Sequence, residues 1–435
     1  MLRAKSHPAL TPPRPSPDSP AMNKNAAGRN PLIFIFVTRL IDAMGFGIVM
    51  PVLPQLLLHM GAPNIASASQ TGGFLLVTYS AMQFFFGPVM GNLSDQFGRR
   101  PVILASLFAY GMDCLLMGFA PSVGWLFLGR AIAGMAGAVY VPANAFVADV
   151  TPPEKRAHAF GVVSSAFGLG FILGPAIGGL LGELGARAPF FVAAALAGLN
   201  FIFGLIVLPE SLPASRRRAF SWRRANPLGA AKMFKRHPHV LVYALVAMAF
   251  MLGNNVYPST WAFFMTARFD WSTRMIGISL MVTGLAMALA QATLTGRLSK
   301  RMGETGAAFL GLWVAVVLAL LYAFVPYPWL VFAYTTVGAL QAIAFPALNA
   351  MMSKQMPPDA QGELQGGAAL LTSVANVVGP LAMTQTLAHF TAPDAPIYFP
   401  GAAFILSAVI NGFGIGLLFF MTVTNARRSS PSPIA

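Results

Sequence analysis

The stretch GNLSDQFGRRP, residues 91–101, joins two apolar runs, one ending near residue 92 and the other beginning near residue 102. Each run is about the 20 residues needed to cross a hydrocarbon layer. Lipid offers no partner to unpaired backbone groups, so both runs are helices. The segment between them reads as a tight polar turn. Gly91 and Gly98 permit reversal and close helix approach, while Arg99 and Arg100 place positive charge at one membrane face. Similar runs lie near 32–58, 70–92, 102–120, 123–148, 158–182, 189–208, 240–266, 273–296, 305–325, 329–352, 363–388 and 398–424. Twelve spans in 435 residues leave no room for a large soluble domain. The composition agrees: 56% of residues are hydrophobic and 9% charged, against about 25% charged in soluble domains.

The charges fix an expected orientation. With the N-terminus inside, the tails and every second loop hold 23 of the 28 Lys and Arg, whereas the opposite loops hold three, Arg187, Arg268 and Arg274. By the positive-inside rule both termini face the cytoplasm. The net charge of +15 is thus mainly a topology signal and not a nucleic-acid footprint. Eight basic residues between Arg216 and Arg236 occupy the longest internal loop, where an anionic lipid surface is the expected neighbour. The expected organisation is a disordered Pro-rich cytoplasmic tail over 1–30, a six-helix bundle over 31–209, a basic linker over 210–239, a second six-helix bundle over 240–424, and a tail over 425–435. The first apolar stretch belongs to a span, so no secretory signal is read.

An internal repeat supports six plus six. An offset of 205 residues pairs Gly91, Leu93, Ser94 and Gly98 with Gly296, Leu298, Ser299 and Gly303. It also pairs Asn144 with Asn349, Gly161 with Gly366, and Gly174-Pro175 with Gly379-Pro380. Parallel six-helix repeats are a transporter architecture, with the substrate site between the halves near the midplane. The expected fold is therefore an all-α membrane protein of twelve helices in two bundles, read as a monomer.

Ionisable residues inside spans are expensive and point to function. Four lie well inside, all in the first half: Arg39, Asp42, Asp113 and Arg130. Arg39 and Asp42 share a helical face and either neutralise each other or act in coupling. Asp113 has no basic residue within a helical turn and reads as a desolvated carboxyl able to take and release a proton. In helix 5, GFILGPAIGGL (170–180) offers Gly170, Gly174 and Gly178 as a close-packing stripe, and Pro175 removes a backbone donor.

The turn at 91–101 resembles the signature loop of the major facilitator superfamily, with Gln96 where the family usually has Arg or Lys. The resemblance implies that Gly91, Asp95, Gly98, Arg99 and Arg100 latch the cytoplasmic side across the interface between halves. Residues 170–180 resemble the antiporter motif of that superfamily, carried by Gly170, Gly174, Pro175, Gly178 and Gly179. Over 32–424 the chain is similar to the tetracycline-efflux type of drug–proton antiporter, on stretches such as DAMGFGIVMPVLP (42–54), GRAIAG (129–134), FVADVTPPEKRAHAFG (146–161) and LQGGAALLTSVANVVGPL (364–381). By that similarity Asp42, Asp113 and Arg130 belong to proton coupling, Gln83 to the substrate path, and Asp149 to the cytoplasmic mouth. Met287 and Ala315 stand where tetracycline exporters carry a coupling His and Asp, which sets metal–tetracycline exchange in doubt. Gln291 and Asn349 are further candidates for the substrate path; with Asn254, Asn255, Gln341 and Asn376 they serve either as lining or as interhelical hydrogen-bond groups.

No phosphate-binding loop, HExxH, nucleophile elbow or metal-ligand cluster occurs, and a single Cys, Cys114, excludes a Cys-built metal site. The chain is not read as an enzyme, and no cofactor is expected. The expectation is a secondary transporter of a bacterial inner membrane that exports an amphipathic organic compound against entering protons, its deprotonated carboxylate favouring a cationic or polar substrate. Uptake or facilitated diffusion of a small metabolite, or a non-transporting membrane protein, are the alternatives.

Overall fold

A computed structural model describes residues 31–222, 225, 226, 229, 231–357 and 360–429. The tail expected over 1–30, and Arg223 and Arg224 of the basic loop, lie outside the described residues. The spans are α1 Pro31–His59, α2 Ile65–Phe97, α3 Arg99–Phe119, α4 Val123–Val150, α5 Arg156–Gly182 and α6 Ala188–Val207. After the linker follow α7 Pro238–Phe269, α8 273–302, α9 304–323, α10 Pro328–Lys354, α11 Gln361–Thr391 and α12 Ala402–Ser429.

Several boundaries differ from the sequence reading, and two of them have a local cause. α2 starts five residues early because the Asn64 side chain caps it, accepting from Ser67 N at 2.9 Å. α12 runs through 425–429, expected as tail, since the chain meets no proline before Pro431.

The repeat is visible in the backbone. Gly98 separates α2 from α3 at φ 101°, ψ 163°, and Gly303 separates α8 from α9 at φ 70°, ψ 171°. Both angles lie where a side chain would be strained, so the same glycine makes the same corner 205 residues later. Gly174 of α5 lies against Met44 and Gly47 of α1, and Gly379 of α11 lies against Asn255 of α7, so the paired Gly-Pro steps also serve equivalent contacts.

Packing divides the molecule by depth. One apolar core, containing Leu53, Leu56, Leu75, Phe190, Phe263, Tyr322, Leu387 and Phe404, draws on both bundles at the end away from the basic loops. At the basic end there are two separate cores, one around Phe34, Ile103 and Phe146 and the other around Tyr243, Leu312 and Leu348, each confined to its own bundle. Hydrogen bonds between bundles follow suit: Ser69 Oγ donates to Thr384 O at 3.2 Å and Gln70 Nε2 to Gln385 Oε1 at 3.2 Å, both at the far end. The bundles are therefore joined at the far end and parted at the basic end.

Candidate transport site

Two ion pairs lie inside the first bundle. On α1, Arg39 Nη1 donates to Asp42 Oδ2 at 2.8 Å, and the Asp42 side chain keeps 22% exposure. The Arg39 guanidinium also lies over the rings of Tyr140 and Phe167, 4.9 and 5.7 Å from their centroids. Such contacts are worth roughly 0.5–2 kcal/mol and hold the cation whether or not Asp42 is charged.

Asp113 is the main correction to the sequence reading. Folding supplies the base that its own helix lacks: Arg130 Nη2, from α4, donates to Asp113 Oδ2 at 2.8 Å, and the carboxyl is fully buried. The pair closes because α3 meets α4 at Gly129, where a Cβ would sit 2.6 Å from Asp113 Oδ1. Any side chain there would displace the carboxylate. Asp113 Oδ1 and Arg130 Nε have no hydrogen-bond partner, so the Nη2–Oδ2 contact is the hydrogen bond that joins the two ions. A carboxylate free to attract a cation does not exist at this position in the conformation described.

Asp42, Tyr79, Tyr110, Cys114 and Arg130 surround a small cavity within the first bundle. It adjoins a second, apolar cavity between the bundles, walled by Leu53, Leu75 and Met117 on one side and Pro258, Ser259, Ala262 and Phe263 on the other. Phe46, Val49 and Arg130 line both. Gln83 Nε2 donates to Tyr79 Oη at 3.4 Å, and Gly137 leaves the room for that contact. Asp42, Asp113, Arg130 and, through Tyr79, Gln83 are thus brought together. Tyr79 and Tyr110 are not singled out by sequence, although Tyr110 precedes Asp113 by three residues on the same helical face.

Gln291 and Asn349 line neither cavity. Gln291 is exposed and opens a π-turn, Gln291–Thr295. It follows Gly277 and Gly284, which touch α5, at seven-residue steps, so it continues that face of α8 into the parted, basic half. Asn255 is buried in an interhelical role, with Nδ2 donating to Met251 O at 2.9 Å and Ala375 O at 3.3 Å.

At the basic end the signature turn is tied into its own bundle. Arg99 Nη1 donates to Ser94 Oγ at 2.6 Å and to Asp95 Oδ1 at 2.7 Å, while its Nε donates to Asp149 Oδ2 at 3.3 Å. The contact expected for Asp95 across the interface is not made here, because the bundles are parted at this end. Glu210, which the pattern does not single out, caps α3 by accepting from Arg99 N at 2.9 Å and Arg100 N at 3.3 Å. Its carboxylate occupies the space a Cβ on Gly98 would need. Arg100 Nη2 donates to Leu205 O at 2.8 Å, and a Cβ on Gly91 would sit 3.0 Å from Val141 Cγ1.

The helix-5 motif has two faces. Gly170, Gly174 and Gly178 press on the α1 backbone at Leu40, Met44 and Ile48, the stripe that their spacing predicts. Gly179 turns the other way: a Cβ would lie 2.6 Å from Thr273 O and 2.9 Å from Gly277 Cα of α8 in the opposite bundle. Pro175 O lies against Gly277 in the same seam. Just beyond it, Glu183 accepts from Arg274 N at 3.2 Å and Thr273 Oγ1 at 3.3 Å, across the interface at the start of α8. Those hydrogen bonds, the Arg274 amide first, hold its carboxyl below the usual glutamate range.

The family profile described as Major Facilitator Superfamily matches residues 35–380 and 244–434. The chain is 42% identical over 360 residues to a protein of Escherichia coli named tetracycline resistance protein, class C, covering 82% of this chain and 90% of that one. It is 31% identical to tetracycline resistance protein, class H, of Pasteurella multocida, over 93% of this chain and 98% of that one. Among solved structures, a bacterial homologue of the human lysosomal transporter Spinster, in an inward-facing and unoccupied conformation, superposes with a TM-score of 0.73 at 16% identity, over 95% of this chain and 100% of that one.

Proposed function

The chain belongs to the major facilitator superfamily, and from that premise we propose that it exports an amphipathic organic compound from the cytoplasm of a bacterium in exchange for entering protons. The observation that carries this reading is the meeting of the two cavities: a titratable carboxyl, Asp42, borders one, and the other lies between the bundles, with Phe46, Val49 and Arg130 common to both. A change of charge at Asp42 is felt at the wall of the space that a substrate would occupy.

The basic end is the cytoplasmic one, so the described conformation opens inward. Asp42 is the proton carrier. When it is protonated, Arg39 loses its counter-ion but keeps the faces of Tyr140 and Phe167. When it is ionised, the Arg39 pair re-forms. Asp113 and Arg130 are a fixed pair that orients the cavity wall and excludes a stray charge. Rocking of the bundles exchanges the far-end seal, made by α5 on α8 and α2 on α11, for closure at the basic end by the 91–101 turn with Asp149. The driving force is about 2.3 kcal/mol per charge for each 100 mV. The relatives named for tetracycline resistance make tetracyclines the first compounds to test, although Met287 and Ala315 put neutral side chains where those exporters carry His and Asp.

In everted membrane vesicles, addition of the transported compound is expected to dissipate a preformed proton gradient, and Asp42→Asn is expected to abolish that response while the protein still inserts and folds. Wild-type responses in Asp42→Asn would remove Asp42 from coupling. A drug-susceptibility panel in a strain lacking its own exporters identifies the compound.

A further inference from the structure

We propose that the exported compound carries no net charge, so that each cycle moves net positive charge inward. The inference deepens the exporter reading and rests on it. Its own support is the distribution of charge around the cavities. Each intramembrane cation of the first bundle already has its anion at 2.8 Å, Arg39 with Asp42 and Arg130 with Asp113. The remaining titratable groups at the first cavity, Tyr79, Tyr110 and Cys114, are neutral side chains.

The second bundle adds nothing ionic. Among the described residues, its Asp, Glu, Lys, Arg and His side chains sit near helix ends or in loops, from His239 and Arg268 to Glu363 and His389. Its face of the shared cavity is Pro258, Ser259, Ala262 and Phe263. Ala315 is buried among apolar neighbours. A substrate with a fixed positive charge would enter this space without a counter-ion, unless it took Asp42 or Asp113 from its arginine and left that cation buried and unpaired. An uncharged molecule with an aromatic or aliphatic body meets no such penalty.

Charge conservation sets the electrical consequence. A monovalent cation leaving as one proton enters moves no net charge. An uncharged compound leaving as one proton enters moves one, so its steady-state gradient responds to membrane potential by about 50-fold per 100 mV, the factor corresponding to 2.3 kcal/mol.

The test uses the full-length protein in liposomes with the potential clamped by potassium and valinomycin. The probes are chloramphenicol as an uncharged compound, ethidium as a permanent cation, and tetracycline with either EDTA or Mg²⁺, which compares the net-neutral zwitterion with the cationic chelate. The expected result is proton-coupled flux of an uncharged probe that rises with an inside-negative potential on the proton-receiving side, with ethidium and the Mg²⁺ chelate at background. Proton exchange with ethidium or the chelate, insensitive to potential, would overturn the inference and leave the exporter standing. No proton exchange with any probe would remove both. Ala262→Asp adds an unpaired carboxylate to the cavity wall and is expected to admit ethidium; a variant that still exchanges the uncharged probe and gains no ethidium flux would also count against charge selection at this wall.

Discussion

The two bundles carry one backbone plan and opposite interiors. Where Arg130 of α4 binds Asp113 of α3, the residue 205 positions after Arg130 is Thr335 of α10, whose hydroxyl lies 2.7 Å from Tyr322 Oη of α9. The same pair of helices is bridged from the same position on the second helix, once by ions and once by hydroxyls, Tyr322 lying one helical turn beyond Leu318, the counterpart of Asp113. At the basic end both bundles use ions but with the signs exchanged. Asp95, Arg99 and Asp149 of the first correspond to Lys300, Glu304 and Lys354 of the second, so the Arg99–Asp149 contact at 3.3 Å is matched by Lys354–Glu304 at 2.8 Å. Repetition preserved corners and close approaches, which depend on glycine and shape. It did not preserve charge, and the charge that remains in the membrane is where titration can be coupled to movement.

The strongest way to break this comparison is to remove one ion from the buried pair. Asp113→Asn leaves Arg130 without its anion in a site where Nε already has no acceptor, and loss of one partner of a buried pair costs about 3–5 kcal/mol. Thermal unfolding of the purified protein in detergent is expected to show that loss, and the Asp113→Asn, Arg130→Gln double variant to recover most of it without recovering transport. Full stability of the single variant would mean that the ion pair is not what holds α3 to α4.

The sign-exchanged pairs at the basic end give the next effect. Arg99 has a side chain only 11% exposed and three hydrogen-bonded partners, whereas Lys354 is 70% exposed. Hydrogen bonds to charged groups contribute about 1.5–3 kcal/mol, while an exposed ion pair contributes about 0–1. Arg99→Gln is therefore expected to lower stability by about 1.5–3 kcal/mol and Lys354→Gln by no more than about 1, read from denaturation in the same detergent. Equal losses would show that the exchange of signs left the two turns energetically alike.

What the sequence makes legible follows from the range of the forces involved. Spans, the charge asymmetry of the loops and the Gly98 and Gly303 corners are local or periodic properties, and each is readable from the chain. The stripe Gly170, Gly174, Gly178 is readable for the same reason. The pairing of Asp113 is not, because its partner is 17 residues away on the next helix and only the packing at Gly129 brings them together. Asp95 illustrates a different obstacle: the resemblance points it across the interface, whereas its partner in this structure is Arg99 of its own turn. Glu210 and Glu183 look like ordinary loop acids until the starts of α3 and α8 are placed beside them. Gln291 and Asn349, polar residues in spans, line neither of the two cavities, so polarity within a span does not by itself place a residue at them.

The hydroxyl bridge in the second bundle provides the smallest and most discriminating comparison. Tyr322→Phe keeps the ring that stacks edge-on with Trp261 at 5.1 Å between centroids and removes only the oxygen bonded to Thr335. A neutral buried hydrogen bond contributes about 0.5–1.5 kcal/mol, so a loss of about 1 kcal/mol is expected, several-fold below that of Asp113→Asn at the equivalent joint. Transport and its proton coupling are expected to persist, since no titrating group is touched. If Tyr322→Phe abolished coupling while stability changed by about 1 kcal/mol or less, the neutral bundle would have to participate in the proton step. The division between a titrating half and a neutral half would then fail at the one place where the two halves are most directly comparable.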